Sequence, residues 1–252
     1  MRVWRSLPEW QAHRRAIGGA TVGFVPTMGA LHRGHATLIE RCRQDNEVAV
    51  VSIFVNPTQF DDARDLALYP RTLEKDLGLL QSLDVDDVLS PEPEAMYPAG
   101  RRFRIEETGI SEILEGAYRP GFFQGVMTVV LKLLNLVRAD RAYFGEKDFQ
   151  QLQIVTEMAR EFFVGTEIVA CPTVREESGL AESSRNARLS PEARSTAAVI
   201  HRALSSAPDP NAARRIIQDA GFSVDYVEER WGRRLAAARI EGVRLIDNVA
   251  VK

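Results

Sequence analysis

The sequence predicts an α/β fold in which a doubly wound parallel sheet is followed by a smaller α+β domain. Over the first 172 residues, short runs rich in valine and isoleucine alternate with amphipathic segments of helical length, which is the pattern of strand–helix–strand units. After Pro172 the pattern changes to helices followed by strand-like runs, so we expect domains at residues 1–172 and 173–252. A chain of 252 residues has ample core for both.

The composition argues against several classes of partner. A net charge of −3 and a pI near 5.9 do not suit a nucleic-acid partner, which favours a basic domain. No apolar run approaches the roughly 18 residues that cross a membrane, and residues 1–5 lack the apolar segment of a signal peptide. Cys42 and Cys171 are expected to be buried and reduced. We therefore expect a cytoplasmic protein with neither a membrane nor a nucleic-acid partner.

The first predicted elements are a helix and a buried strand. A short amphipathic helix is expected at residues 4–16, and the glycines at 18 and 19 should end it. The apolar run at residues 22–25 predicts the first strand of the sheet. Pro26 should end this strand, because proline has no N–H to donate to a ladder.

The next loop carries two histidines, His32 and His35, and helical spacing predicts a helix that begins at or just after His35. Gly29 and Gly34 allow tight turns and a close approach to a ligand. Imidazoles at the positive N-terminal end of a helix suit a phosphate chain. A pair at this spacing also occurs in metal sites, and a histidine at a helix start is often only a cap. The spacing alone leaves these interpretations open.

Strands and helices continue to alternate after this loop. The second strand, at residues 47–54, leads directly into Asn56-Pro57-Thr58-Gln59. Further helices are expected at 72–83, 124–137 and 148–160, and further strands at 85–89, 141–144 and 166–170. Ligands of such sheets bind at the carboxyl ends of strands. The loops after the first two strands and after Phe144 are therefore the expected site, and ATP would have to bind without a P-loop or a GxGxxG motif.

The segment after Pro172 is expected to form a small α+β domain. A helix should begin at Ser190-Pro191-Glu192, because serine is a good cap and proline suits the first helical turn. A segment rich in serine and proline at 205–210 precedes a second helix at 211–220. Residues 223–229 and 234–251 have the pattern of strands.

Five motifs resemble one enzyme family, in the same order along the chain. His32-Arg33-Gly34-His35 resembles the HxGH motif with which a nucleotidyltransferase superfamily binds the ATP triphosphate, and the longer string from Pro26 to His35 resembles the pantothenate synthetases, or pantoate–β-alanine ligases. The other matches are Phe54-Val55-Asn56-Pro57-Thr58-Gln59-Phe60, Asp65-Leu66-x-x-Tyr69-Pro70-Arg71-Thr72, Phe144-Gly145-Glu146-Lys147-Asp148-x-Gln150-Gln151-Leu152 and Ser183-Ser184-Arg185-Asn186. The likeness covers about residues 20 to 195 and is looser beyond.

The resemblance implies a fold, a reaction and partners. Residues 1–172 would be a Rossmann-like domain that binds ATP and pantoate, and residues 173–252 would be a lid over the ATP. The implied reaction is an ATP-dependent condensation of pantoate with β-alanine through pantoyl adenylate, which releases pyrophosphate and AMP. Mg²⁺ would accompany the ATP, and the chain would be a homodimer. This chemistry needs positioning and well-placed charge rather than a protein nucleophile.

The resemblance also implies which residues handle ATP. The catalytic candidates are His32, His35, Lys147, Ser183, Ser184 and Arg185. The ATP-binding candidates add Met28, Gly29, Ala30, Leu31, Arg33, Gly34, Gly145, Glu146, Asp148, Val174 and Glu182. Asp148 would face the ribose or a cation, and Asp76 is the candidate ligand for Mg²⁺. Taken alone, Lys147-Asp148 would be a solvated ion pair and the paired serines only a turn.

The resemblance implies that the amides of Gln59 and Gln151 hold pantoate, and such amides add no charge beside a carboxylate that must stay nucleophilic. The apolar side chains expected to line its dimethyl group are Met28, Val129, Val130, Leu133 and Phe144. The substrate-binding candidates beside the two glutamines are Asn56, Tyr69, Val129, Val130, Leu133 and Phe144. Taken alone, the glutamines would be expected at the surface, and the residues around Val129 would be helix core.

Two positions depart from the family pattern. The family usually has histidine after its Arg-Pro-Gly motif, where this chain has Phe122, and usually an apolar residue before the paired serines, where it has Glu182. Glu182 would either turn outward to water or an arginine, or be desolvated and disfavour an anionic acid. Two alternatives therefore stand beside the favoured reaction. One is a related adenylate-forming ligase or nucleotidyltransferase with another acid or amine, and the other is a degenerate homologue that only binds nucleotide.

Overall fold

A computed structural model describes residues 1–60, 63–99 and 102–251, with the side chains of 63–65 left out. The described chain divides into two compact units. The large unit comprises Met1–Leu31, His35–Gly145 and Gln150–Cys171. The small unit comprises His32–Gly34, Glu146–Phe149 and the chain from Pro172 onward. The small unit thus takes in two short segments that precede Pro172, which the sequence did not indicate.

The large unit contains a six-stranded parallel sheet in the order β1-β4-β3-β2-β5-β6. Its strands are β1 Arg2–Trp4, β2 Val22–Thr27, β3 Val48–Ile53, β4 Asp87–Leu89, β5 Arg141–Gly145 and β6 Glu167–Cys171. The strand order reverses between β2 and β5, and ligands of open parallel sheets bind outside the carboxyl ends at such a point. The chain leaves β2 and β5 there toward the histidines and Lys147.

The helices of the large unit cover this sheet. They are α1 Leu7–Ala16, α2 Arg33–Asp45, α3 Ala63–Leu68, α4 Leu73–Ser82, α5 Pro93–Met96, α6 Glu115–Tyr118, α7 Phe122–Val137 and α8 Phe149–Glu161. Short 3₁₀ turns occur at Pro57–Gln59, Ile110–Glu112 and Glu146–Asp148. Most of α7 is buried, which accounts for its almost uniformly apolar sequence. No described helix is long and apolar enough to cross a membrane.

The small unit packs two helices on a three-stranded antiparallel sheet. The helices are α9 Pro191–Ser206 and α10 Pro210–Asp219, and the strands are β7 Ser223–Arg230, β8 Arg233–Ile240 and β9 Val243–Ala250. Ser190 caps α9 as expected, since its hydroxyl accepts a hydrogen bond from the Ala193 N–H at 3.1 Å. The predicted fold class, a doubly wound parallel sheet with a small α+β part, is confirmed.

The N-terminus differs from its prediction, because residues 2–4 form β1 at the sheet edge and the helix begins only at Leu7. The residue that holds β1 in place, Asp87, is distant in sequence. The buried Asp87 carboxylate accepts hydrogen bonds from the Arg2 guanidinium at 2.9 Å and from the Trp4 indole N–H at 2.8 Å. Residues 2–4 have no apolar run like those of the predicted strands, so the sequence pattern could not reveal this strand.

Two boundaries near the histidines also differ from their predictions. Strand β2 continues through Pro26 to Thr27, paired with β3 along its whole length. Its pairing with β5 is confined to Gly23 and Phe24, so a residue without an N–H is tolerated at Pro26. Helix α2 begins at Arg33, before the expected start at His35. The histidines therefore flank the helix start, with His32 just before it and His35 in the first turn.

Candidate active site

The loop after β2 is held in an unusual conformation by Asp76. Gly29 and Ala30 both have positive φ angles, of 78° and 50°, and this region is costly for alanine. The Asp76 carboxylate accepts hydrogen bonds from the N–H groups of Ala30 and Leu31, each at 2.9 Å. Its side chain is 2% exposed and also accepts from the Thr72 hydroxyl at 3.2 Å. Asp76 therefore fixes the backbone that leads to the histidines.

This geometry does not fit the expected role of Asp76 as a magnesium ligand. Magnesium prefers carboxylate oxygens that it shares with water and substrate phosphates, whereas both oxygens of Asp76 accept backbone N–H groups. Over residues 1–60, 63–99 and 102–251, the structure shows no group of three or more histidine, cysteine or acidic side chains that could hold a metal ion. We therefore assign Asp76 to loop positioning, in place of the metal role expected from the sequence.

Asn56 is hydrogen-bonded within the fold on both sides of its amide group. Its side-chain oxygen accepts from the Thr58 hydroxyl at 2.9 Å and the Tyr97 hydroxyl at 2.8 Å. Its amide nitrogen donates to Gln59 Oε1 at 2.9 Å and to the Gly125 carbonyl at 3.1 Å. The residue is 1% exposed. These bonds use its hydrogen-bonding capacity, so within the fold Asn56 holds the Gln59 side chain.

Gln59 lies at the end of the 3₁₀ turn after β3, with its side chain beside Met28. Its amide nitrogen lies 2.9 Å from Met28 Sδ, a weak acceptor that a polar ligand can displace. The backbone carbonyl of Gln59 accepts a hydrogen bond from the Arg119 guanidinium at 3.2 Å. Arg119 also stacks on the Phe122 ring, 3.6 Å from the centroid. Phe122, where the family usually has histidine, therefore supports the arginine that steadies Gln59.

The adjacent glutamines Gln150 and Gln151 have different environments. Gln150 is 3% exposed, and its amide group bonds to the main chain of Ile110, Ile113 and Glu115. Gln151 is half-buried, and its side chain makes no hydrogen bond to any residue that the structure describes. Gln151 is therefore available to a ligand, whereas Gln150 is committed to the fold.

The apolar candidates belong to the core of the large unit. Val129, Val130, Leu133 and Phe144 are between 3% and 6% exposed. Tyr69 is half-buried, with its ring 5.5 Å from that of Phe60. Burial alone would give these residues the same positions whether or not they line a ligand.

In the small unit, His32 is a neutral hydrogen-bond donor. Burial, and then the nearby Lys147 ammonium, lower the pKa of His32 to about 4. Its Nδ1 accepts a hydrogen bond from the Gly34 N–H at 3.1 Å, so the proton of the neutral ring lies on Nε2. A Cβ at Gly34 would lie 2.9 Å from the His32 ring. Glycine is therefore required for this arrangement.

The same unit gathers the other phosphate-binding candidates around one recess. Lys147, Ser183 and Arg185 line it together with Asn186 and Asp247. The Lys147 ammonium lies 3.6 Å from the Asp148 carboxylate and is largely buried. Ser183 caps the 3₁₀ turn Ser184–Arg188 by accepting from the Arg185 N–H at 3.2 Å. Arg244 also lines this recess, so three cations meet the Asp247 carboxylate there, and the net positive charge suits phosphate oxygens.

Glu182 stands at the edge of this group. Its backbone N–H donates to the Val174 carbonyl at 2.9 Å, which fixes the strand segment before the serines. Burial, and then the nearby Glu176 carboxylate, raise the pKa of Glu182, whereas Arg33 and Arg194 act in the opposite direction. The carboxylate is half-buried among charges of both signs.

Several of the remaining candidates lie in the loop after β2 or at the end of β5. Met28 through Leu31 form the loop after β2, and Gly145 ends β5 just before Glu146. Sequence reasoning missed Arg233 and Asn248, whose side chains contact Glu146 and Lys147 from the C-terminal sheet. No local pattern marks them, because their partners lie about a hundred residues earlier.

Comparison with known proteins gives one consistent family. The family model of pantoate-beta-alanine ligases matches residues 2–250. A pantothenate synthetase of Bdellovibrio bacteriovorus is 50% identical over 250 residues, which is 99% of each chain. One from Cereibacter sphaeroides is 47% identical over 97% of this chain and 95% of its own.

Solved structures agree with the sequence relatives. The crystal structure of a Thermus thermophilus pantothenate synthetase superposes with a TM-score of 0.93 at 43% identity, and 99% of each chain is covered. A Francisella tularensis pantoate-beta-alanine ligase, in complex with β,γ-ATP and β-alanine, gives 0.94 at 40% identity. That match covers 99% of this chain and 97% of the other.

Proposed function

The chain belongs to the pantoate–β-alanine ligase family and is an ATP-dependent ligase that forms pantothenate, and we propose that it does so through a pantoyl adenylate. A pantoate carboxylate oxygen attacks the α-phosphorus of ATP, and the bond to the β-phosphate oxygen breaks to release pyrophosphate. The amine of β-alanine then attacks the acyl carbon, loses a proton, and AMP leaves. The recess lined by Lys147, Ser183 and Arg185 is the observation that carries this proposal.

In the first step, negative charge accumulates on the pyrophosphate that leaves. Lys147 and Arg185 provide fixed positive charge at the recess, and such preorganised charge lowers the barrier without a protein nucleophile. His32, neutral with its proton on Nε2, donates a hydrogen bond to a phosphate oxygen and adds no charge. Ser183 and Ser184 add hydroxyl donors. His35, in the first turn of α2, acts on the same chain of phosphates.

Pantoate is held in the large unit, by the amides of Gln59 and Gln151 in this proposal. Asn56 and Arg119 hold Gln59 in place, and Gln151 has its amide available. Neutral amides leave the pantoate carboxylate nucleophilic, whereas an arginine or lysine there would stabilise its ground state. Met28, Val129, Val130, Leu133 and Phe144 form the apolar lining for the dimethyl group, and Tyr69 completes this set.

We also propose that the enzyme uses Mg²⁺ with ATP, is cytoplasmic and forms a homodimer. Mg²⁺ would accompany ATP and neutralise phosphate charge, and Asp76, whose oxygens accept backbone N–H groups, would not be among its ligands. A cytoplasmic location is supported by Cys42 and Cys171, which are buried thiols. Burial raises the pKa of Cys42 to about 12, so it is an inert thiol. The family likeness supports a homodimer.

Exchange of labelled pyrophosphate into ATP distinguishes this function from that of a ligase for another acid or amine. We expect exchange that depends on pantoate and proceeds without β-alanine, because adenylation is reversible before the amine attacks. Glu182 is the observation that favours the runner-up, a ligase for another acid or amine. Exchange only with a different acid would support that reading, and no exchange with any acid would leave a protein that merely binds nucleotide.

A further inference from the structure

Asn248 of β9 holds the turn that carries Lys147. Its amide nitrogen donates to the carbonyls of Glu146 and Lys147, at 2.9 and 3.0 Å. Its side-chain oxygen accepts from the Arg233 guanidinium at 2.8 Å. The residue is 2% exposed. A buried amide with each of its groups engaged in this way has one orientation, so the position of the Lys147 backbone follows that of β9.

Arg233, in the neighbouring strand β8, binds the same turn. Its guanidinium donates to the Glu146 carboxylate at 2.6 Å, and it lies over the Phe149 ring, 4.4 Å from the centroid. Trp231, in the β7–β8 turn, lies 6.4 Å from the same ring. The residues on both sides of Lys147 are therefore attached to the C-terminal sheet.

Asp247, the neighbour of Asn248, holds the second phosphate-binding segment. Its carboxylate accepts two hydrogen bonds from Arg175, at 2.7 and 2.9 Å, and one from the Asn248 N–H at 2.7 Å. Arg175 pairs with Ala181 in an antiparallel bridge and donates to the Gly179 carbonyl at 3.1 Å. This short hairpin runs directly into Ser183 and Arg185.

We infer that Asn248 is a positioning residue for the ligase reaction, and that the Asp247–Asn248 pair sets the Lys147 turn and the Ser183 turn relative to each other. The inference rests on the proposed role of Lys147 in adenylation. Both cationic turns attach to adjacent residues of one strand. A sheet is stiffer than a loop, so this attachment fixes two loop-borne groups that must act on the same phosphate chain.

A positioning role has a characteristic kinetic signature. Displacement of a catalytic group by about 1 Å can lower the rate by two orders of magnitude. Because Lys147 acts mainly on charge that develops in the transition state, such a displacement lowers kcat and kcat/KM together and leaves KM for ATP nearly unchanged. Simple destabilisation of the sheet would instead lower the melting temperature and leave the rate of the folded fraction unchanged.

The test compares Asn248→Ala with Arg234→Lys in pantoate-dependent pyrophosphate exchange. Arg234 is a matched control, because it is 6% exposed in the same sheet and donates to backbone carbonyls of Leu204 and Ala207, away from Lys147. We expect Asn248→Ala to lower kcat by roughly ten- to a hundredfold with KM for ATP within about threefold. Arg234→Lys should keep kcat within about twofold even where its melting temperature falls.

A double-mutant cycle with Lys147→Ala separates this inference from the proposed function. If Asn248 acts through Lys147, Asn248→Ala should change kcat by less than about threefold in the Lys147→Ala background. A fall as large as in the wild-type background would overturn the inference and leave the function standing. Near-normal exchange by Lys147→Ala alone would remove the role of Lys147 and the inference with it. If Asn248→Ala does not fold, Arg233→Gln, which breaks the bonds to Asn248 and Glu146, takes its place with the same expected results.

Discussion

At the scale of single residues, the hydrogen bonds separate side chains that are committed to the fold from side chains that are candidates for binding substrate. The sequence identified His32, Lys147 and Gln59 as candidates through motifs, but it could not distinguish a contact residue from a support. Asp76 and Asn56 lie in the same motifs, and only the hydrogen bonds of the folded chain show that their polar atoms are used by the backbone and by Gln59. Polar residue type and spacing carry no information on which partner a side chain finds.

The low pKa of His32 predicts how stability depends on pH. Burial lowers the pKa from the ordinary 6.5 to about 4, so between these values the unfolded chain binds more protons than the folded one. The free energy of unfolding should therefore fall as the pH is lowered from 6.5 toward 4. We expect His32→Gln to lose this part of the pH dependence in denaturant titrations at pH 7, 5.5 and 4.5. Parallel profiles for the two proteins would show that His32 is not held neutral.

Glu182 is expected to be tolerated with pantoate as the acid. Its half-buried carboxylate has Arg33 and Arg194 nearby as opposite charges, so it need not act on the substrate. Glu182→Met should change kcat/KM for pantoate by only a few-fold, and Glu182→Gln, which removes the charge and keeps the shape, should behave alike. A gain of well over tenfold in either variant, roughly 1.4 kcal/mol or more, would mean that the enzyme is built for another acid.

At the scale of elements, the approach of α7 to the turn after β3 fixes Gln59. A Cβ at Gly125 in α7 would lie 2.2 Å from the Thr58 carbonyl oxygen and 2.8 Å from the Gln59 nitrogen. A main-chain neighbour cannot swing aside as a flexible side chain can. The helix period predicted α7, and Gly125 was an unexplained glycine within it, because the close approach involves residues about seventy positions away.

Gly125→Ala should therefore displace Gln59. We expect KM for pantoate to rise at least tenfold, and the free energy of unfolding to fall by about 1–3 kcal/mol from overpacking. The matched control is Gly78→Ala in α4, where an added Cβ meets no atom within 4 Å. That change should leave KM unaltered and raise stability by up to about 1 kcal/mol. An unchanged KM for pantoate in Gly125→Ala would show that the approach of Gly125 to Thr58 and Gln59 does not affect pantoate binding.

At the scale of the whole molecule, the sequence predicted the fold class well and the grouping of segments less well. The alternation of apolar runs and amphipathic segments predicted five of the strands in the parallel sheet, because each of them lies within a local apolar run. It could not show that His32–Gly34 and Glu146–Phe149 group with the C-terminal residues. That grouping depends on contacts such as those of Asn248 and Arg233, which no local pattern encodes.

The fate of the carboxylate oxygens shows whether the enzyme activates pantoate as an adenylate. Pantoate labelled with ¹⁸O in both carboxylate oxygens would be converted with ATP and β-alanine, and the AMP analysed by mass spectrometry. Attack on the α-phosphorus predicts that each turnover transfers one ¹⁸O to AMP and leaves the other in the amide carbonyl. Unlabelled AMP, or label in inorganic phosphate released alongside ADP, would rule out a pantoyl adenylate.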